Sequence, residues 1–110
     1  MAARSARTIG DIASLVRSKN AGPFWITLDV FCDSDDAYDR VSAPGVVTQQ
    51  AIAHVYRVDP TSVRVYRLPQ LRVVKVSFPR RHPQGSVDDR DMHAGQQHIP
   101  LSRLLLTRSP

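Results

Sequence analysis

Apolar residues recur at helical spacing near the N-terminus and then at alternate positions from Phe24 to Cys32, and this change of period organises the first third of the chain. Thr8 is followed three residues later by Asp11, the spacing of a capping box in which hydroxyl and carboxylate satisfy free N–H groups at a helix start. Ile9, Ile12, Ala13, Leu15 and Val16 supply an apolar stripe, so a helix is predicted from Thr8 to about Ser18, stopped by Asn20, Gly22 and Pro23. A strand is predicted next, with Phe24, Ile26, Leu28, Val30 and Cys32 on a core face and Trp25, Thr27, Asp29 and Phe31 on the other. The second face mixes aromatics with a hydroxyl and a carboxylate, so it is either partly wet or covered by something polar.

Asp33, Ser34, Asp35 and Asp36 precede Ala37, Tyr38 and Val41, an acidic start that opposes the positive end of a short helix. Ala43-Pro44-Gly45 ends that helix, and Thr48 caps a third one with Ala51, Ile52, Val55 and Tyr56 as its buried stripe. Strands are predicted around 63–66 and 71–78, the latter with Val74, Val76 and Phe78 on one face and Leu71, Val73 and Lys75 on the other. After Pro79 little can pack until Leu101, so 80–97 reads as a long surface excursion, a kind of loop that is functional or disordered. Residues 101–106 are apolar again and are expected to dock as a short helix or an edge strand. Residues 1–7 read as a flexible tail, and 8–110 as a single domain, the length prior for 110 residues.

Composition changes this picture only at the margins. No apolar run reaches the roughly 18 residues of a membrane span, the N-terminus lacks the apolar segment of a secretory signal, and the lone Cys32 forms no internal disulfide. A cytoplasmic, non-membrane protein is expected. The net charge of +5 comes from arginines scattered along the chain, with only Arg80 and Arg81 adjacent. A nucleic-acid module gathers its cations and interleaves aromatics, so nucleic acid is not expected as a partner.

Two polar segments carry the candidate chemistry. In 17–22, Arg17, Lys19, Asn20 and the backbone at Gly22 have the composition of an anion-binding loop, or else of a tight helix-to-strand connection with solvated cations. In 91–98, Asp91, His93 and His98 are the candidate proton carriers, with Gln96 and Gln97 between the histidines. The same three could ligate a metal through nitrogen and oxygen, but the spacing matches no helical zinc pair and a fourth ligand is lacking, so neither metal nor cofactor is expected. His54 falls within the third helix without an acidic partner one turn away, and His82 reads as solvated. Asp29 facing Lys75 across a sheet could form an acid–base pair, and more simply a cross-strand ion pair. Cys32, on an apolar strand face without a cationic neighbour, is expected to be inert.

Arg17-Ser18-Lys19-Asn20-Ala21-Gly22-Pro23-Phe24, Thr27-Leu28-Asp29-Val30-Phe31 and Asp91-x-His93-x-x-Gln96-Gln97-His98-x-Pro100-Leu101 resemble a small bacterial family encoded beside proteins of the acyclic terpene utilisation (AtuA) type. The layout is also similar to the small C-terminal domain of AtuA-type proteins, including Tyr66-Arg67-Leu68-Pro69-x-Leu71. The resemblance implies a ferredoxin-like α+β sandwich, a small mainly antiparallel sheet with helices on one face. It also implies a hetero-oligomer with an AtuA-type protein and a small carboxylate or thioester substrate from the catabolism of branched acids. Arg17, Ser18 and Gly22 are kept here, while Asn20-Ala21 replace an acid and a lysine, so chemistry carried by that lysine does not transfer. The expectation is an accessory subunit, not catalytic alone, of a hydro-lyase acting on a branched unsaturated acid. In it Arg17, Lys19, Asn20 and Gly22 bind an anion, Thr27, Asp29, Gln96 and Gln97 orient the substrate, and His93, His98 and Asp91 move protons. The alternative is a binding or regulatory module without chemistry of its own.

Overall fold

A computed structural model describes residues 8–80 and 98–106. The tail at 1–7, most of the excursion after Pro79, and with it His82, Asp91, His93, Gln96 and Gln97, lie outside the described residues.

The Thr8 capping box forms: its hydroxyl accepts from the Asp11 amide and the Asp11 carboxylate accepts from the Thr8 amide. The helix it starts, however, is only Ile9–Ile12 (α1). Ala13 leaves it in extended conformation, and the Ser14 amide and hydroxyl both donate to the Phe31 carbonyl, at 2.8 and 2.9 Å. That anchor begins a strand, Leu15–Asn20 (β1), where continuation of the helix was predicted. Leu15 to Asn20 satisfies a period of two as well as a helical period, and six aligned pairs with the next strand decide between them.

Trp25–Phe31 (β2) follows a turn closed by the Ala21 amide on the Trp25 carbonyl, with Gly22 at a φ of 80°. Ser34 caps Asp35–Val41 (α2) through the Ala37 amide, and Thr48 caps Gln49–Tyr56 (α3) through the Ala51 amide. Arg64–Leu68 (β3) and Val73–Pro79 (β4) form a second hairpin, and His98–Ser102 (α4) closes the domain. The strand order is β1-β2-β4-β3, every neighbour antiparallel. Strands β2 and β3 are therefore parallel with β4 inserted between them, the split βαβ arrangement of ferredoxin-like folds. The fourth strand is β1, delivered by the N-terminal hairpin; residues 101–106 contribute the end of α4 and a single bridge from Leu105 to Thr8.

One face of the sheet, carrying Ile26, Leu28, Val30, Val74, Val76 and Phe78, packs beneath the helices against Ile9, Val41, Ile52 and Leu101, all buried. Tyr56 of α3 stacks on Phe78 with ring centroids 4.6 Å apart and accepts a hydrogen bond from the Leu101 amide at 3.0 Å. Arg67 of β3 donates to the carbonyls of Ser42 and Val47, fastening the α2–α3 connection over the sheet's end. Phe24, expected on this face, lies in the hairpin turn and is 60% exposed, because the ladder starts one residue later.

Candidate functional site: the uncovered sheet face

The opposite face of the four-stranded sheet has no helix on it among the described residues, the usual state of an antiparallel sheet with one wet side. Strand register lays out what it presents. Leu15, Phe31, Val73 and Leu68 form one row across all four strands; Arg17, Asp29, Lys75 and Tyr66 form the next; Lys19, Thr27, Ser77 and Arg64 form the third.

Asp29 is the centre of this face and its chemical anomaly. The residue is 4% exposed although no helix among the described residues covers it. One oxygen, Oδ2, meets the Arg17 guanidinium at 3.5 Å, and Arg17 in turn lies over the Phe31 ring, 5.1 Å from its centroid. The other oxygen, Oδ1, is buried with no hydrogen-bond partner among the described residues. The cross-strand pair expected between Asp29 and Lys75 is replaced by this one: Arg17 on β1 and Lys75 on β4 both stand opposite Asp29 in register, and Arg17 makes the ion pair. The guanidinium is held beside the carboxylate by the Phe31 ring beneath it. Thr27, two residues from Asp29 on the same strand face, is also buried.

The 17–22 segment does not converge as a loop. Because 15–20 is a strand, alternate side chains leave on opposite faces. Arg17 and Lys19 stand on the uncovered face with Thr27 and Asp29, whereas Ser18 and Asn20 align with Leu28 and Ile26 on the helical side. There the Ser18 hydroxyl accepts from the His98 amide at 3.1 Å, and the Asn20 side-chain oxygen accepts from the Arg80 guanidinium. Gly22 serves the hairpin turn, its positive φ being the conformation glycine adopts without strain. The structure thus joins Arg17, Lys19, Thr27 and Asp29 on one face. It joins Ser18, Asn20, Arg80 and His98 on the other, and both groups flank the same edge strand.

His54 is exposed in the last turn of α3. Cys32 is buried, and burial, with the neighbouring Asp33 carboxylate, pushes its thiol pKa up, away from the reactive thiolate. Lys75, Tyr66 and Arg64 belong to the uncovered face as fully as Arg17 does, and strand alternation at 64–68 and 73–79 was the signal that places them there.

These features define a small two-layer α+β domain with a cationic, aromatic-bearing open sheet face around one buried carboxylate. The family described as Domain of unknown function (DUF4387) matches residues 9–105, and the chain belongs to that family. Among curated proteins and among solved structures, nothing matches. Among the described residues, no helix is long and apolar enough to cross a membrane.

Proposed function

We propose that this chain is a small accessory subunit of a cytoplasmic catabolic enzyme complex, working with a larger AtuA-type protein in adding or removing water at a branched unsaturated acid or its thioester. The observation that carries the proposal is Asp29: a buried carboxylate with one oxygen bound to Arg17 and the other unpartnered among the described residues, on a sheet face that no described helix covers. Buried polar atoms are almost always satisfied, and an exception next to exposed cations is what a carboxylate kept for function rather than for stability looks like. The motif resemblance supplies the partner and the reaction class.

In this reading Arg17 and Lys19 hold the substrate carboxylate or thioester from β1, and Thr27 and Asp29 orient its hydroxyl or the attacking water. A histidine of the 91–98 segment carries the proton. His98, the described one, is fixed on the helical side of β1 through its amide and Ser18, away from Arg17 and Asp29, so the proton carrier proposed for this face is His93. A second reading, a binding module without chemistry, is favoured by the engagement of Ser18 and Asn20 in fastening His98 and Arg80.

The test is to express the chain with and without the AtuA-type protein and measure the mass of the purified species. A stable hetero-complex is expected, turning over hydration substrates. Loss of turnover in His93→Ala with assembly intact selects the catalytic reading, and loss of assembly alone selects the binding module. A chain that remains a monomer, or a homo-oligomer indifferent to the neighbour, overturns the subunit reading.

A further inference from the structure

The uncovered face has two chemically different ends. At one, the row Leu15, Phe31, Val73 and Leu68 is wholly apolar, and Leu15 is 52% exposed. Leu71, in the single-turn 3-10 helix Pro69–Leu71 that links β3 to β4, is 68% exposed. In the other two rows Arg17, Lys19, Lys75 and Arg64 stand against one carboxylate, Asp29, already held by Arg17.

The two guanidiniums are stacked on aromatic rings, Arg17 over Phe31 at 5.1 Å and Arg64 over Trp25 at 5.9 Å. A guanidinium resting on a ring has its N–H edge fixed in direction, the geometry that grips carboxylates in pairs of parallel hydrogen bonds; Arg17 already turns part of that edge to Asp29, whereas Arg64 has no carboxylate on it among the described residues.

We infer that this face docks a surface of another protein that sets carboxylates beside an apolar patch: carboxylates over Arg17, Lys75 and Arg64, and apolar side chains over Leu15 and Phe31. Charge complementarity identifies the occupant. A second copy packed face to face would be isologous, bringing these cations against their own counterparts. Single-stranded nucleic acid would meet the phosphate requirement, but it needs bare aromatic faces for its bases, and guanidiniums already lie over Phe31 and Trp25. Only the identity of the docking protein as the AtuA-type subunit rests on the reading above; the chemistry of the surface does not.

The isotopically labelled full chain, titrated at low salt with a synthetic peptide alternating glutamate and leucine, tests this. Amide shifts are expected at Lys19, Phe31, Arg64 and Lys75. Affinity should fall about tenfold in Lys75→Ala and again in Arg64→Ala, the order expected for a lost charge-assisted contact. The fluorescence of Trp25, the single tryptophan, gives a second readout. Binding there by a chain that ignores the AtuA-type protein supports this inference while removing the subunit reading. No shift with the peptide, shifts confined to the helical side, or a dimer of the chain closed by this face would overturn it. So would displacement of the peptide by oligo-deoxythymidine.

Discussion

Arg17 and Asp29 stand opposite each other on neighbouring antiparallel strands and form an ion pair of 3.5 Å, the arginine half exposed and the aspartate almost wholly buried. The asymmetry decides what each mutation does. Truncating Arg17 leaves a buried carboxylate with neither oxygen paired, whereas replacing Asp29 releases an arginine that water can solvate.

Arg17→Met should therefore cost about 1–2 kcal/mol, discounted from the buried-pair figure because the guanidinium is half in water. Asp29→Asn should cost less, and the double variant less than the sum of the two. Denaturant unfolding of the four proteins in a double-mutant cycle measures the coupling. Strict additivity would mean that the pair does not interact.

Gly22 separates an anion-binding reading from a turn reading. A Cβ at this position meets nothing within 4 Å, but the φ of 80° strains any L side chain. Gly22→Ala should lower stability by about 1 kcal/mol while leaving ligand or partner affinity unchanged, because the cost is conformational. A large loss of affinity at unaltered stability would return Gly22 to the site.

The fold was legible where one period dominated. Ile26 to Cys32 and Val74 to Phe78 alternate cleanly, and Thr48 precedes its helix as a cap residue must; at the second helix the acidic start was legible, while the cap itself is the Ser34 hydroxyl rather than a carboxylate. The stretch from Leu15 to Asn20 was misread because Leu15 and Val16 extend the stripe begun by Ile9 and Ile12; local pattern is degenerate there, and pairing with β2 breaks the tie. That one error displaced the candidate site. A loop would have gathered Arg17, Ser18, Lys19 and Asn20 around one ligand, while a strand sorts them onto two faces. The partner of Asp29 was illegible for a related reason: sequence locates no residue of β1 opposite it until β1 is known to be a strand.

Ser18 and His98 are eighty residues apart and meet through a single hydrogen bond that fixes the start of α4 beside β1. Ser18→Ala removes the acceptor and should destabilise by about 1 kcal/mol. The effect is local: hydrogen exchange at the His98 amide should quicken several-fold, while amides of β2 and β4 slow or quicken only with global stability. Uniform acceleration across the sheet would show that this contact is part of the global unit rather than a fastening of α4.

Tyr56 couples stability to alkaline pH. Its hydroxyl is buried and accepts from the Leu101 amide; burial pushes its pKa well up from the ordinary 10.0, outweighing the lowering effect of the hydrogen bond. The raised value means that the unfolded chain loses this proton first. The contribution is therefore fully present below pH 10 and declines as pH rises above it, because the unfolded state is then the one that ionises. Tyr56→Phe should cost about 1–3 kcal/mol at neutral pH, since it leaves the Leu101 amide buried without an acceptor. The variant should also lose one ionisation from its alkaline denaturation, so that the difference between wild type and variant narrows as pH climbs past 10. Stability curves of both proteins from neutral to strongly alkaline pH measure this, and a gap that stays constant would mean that the phenol ionises as readily in the folded protein as in the unfolded one.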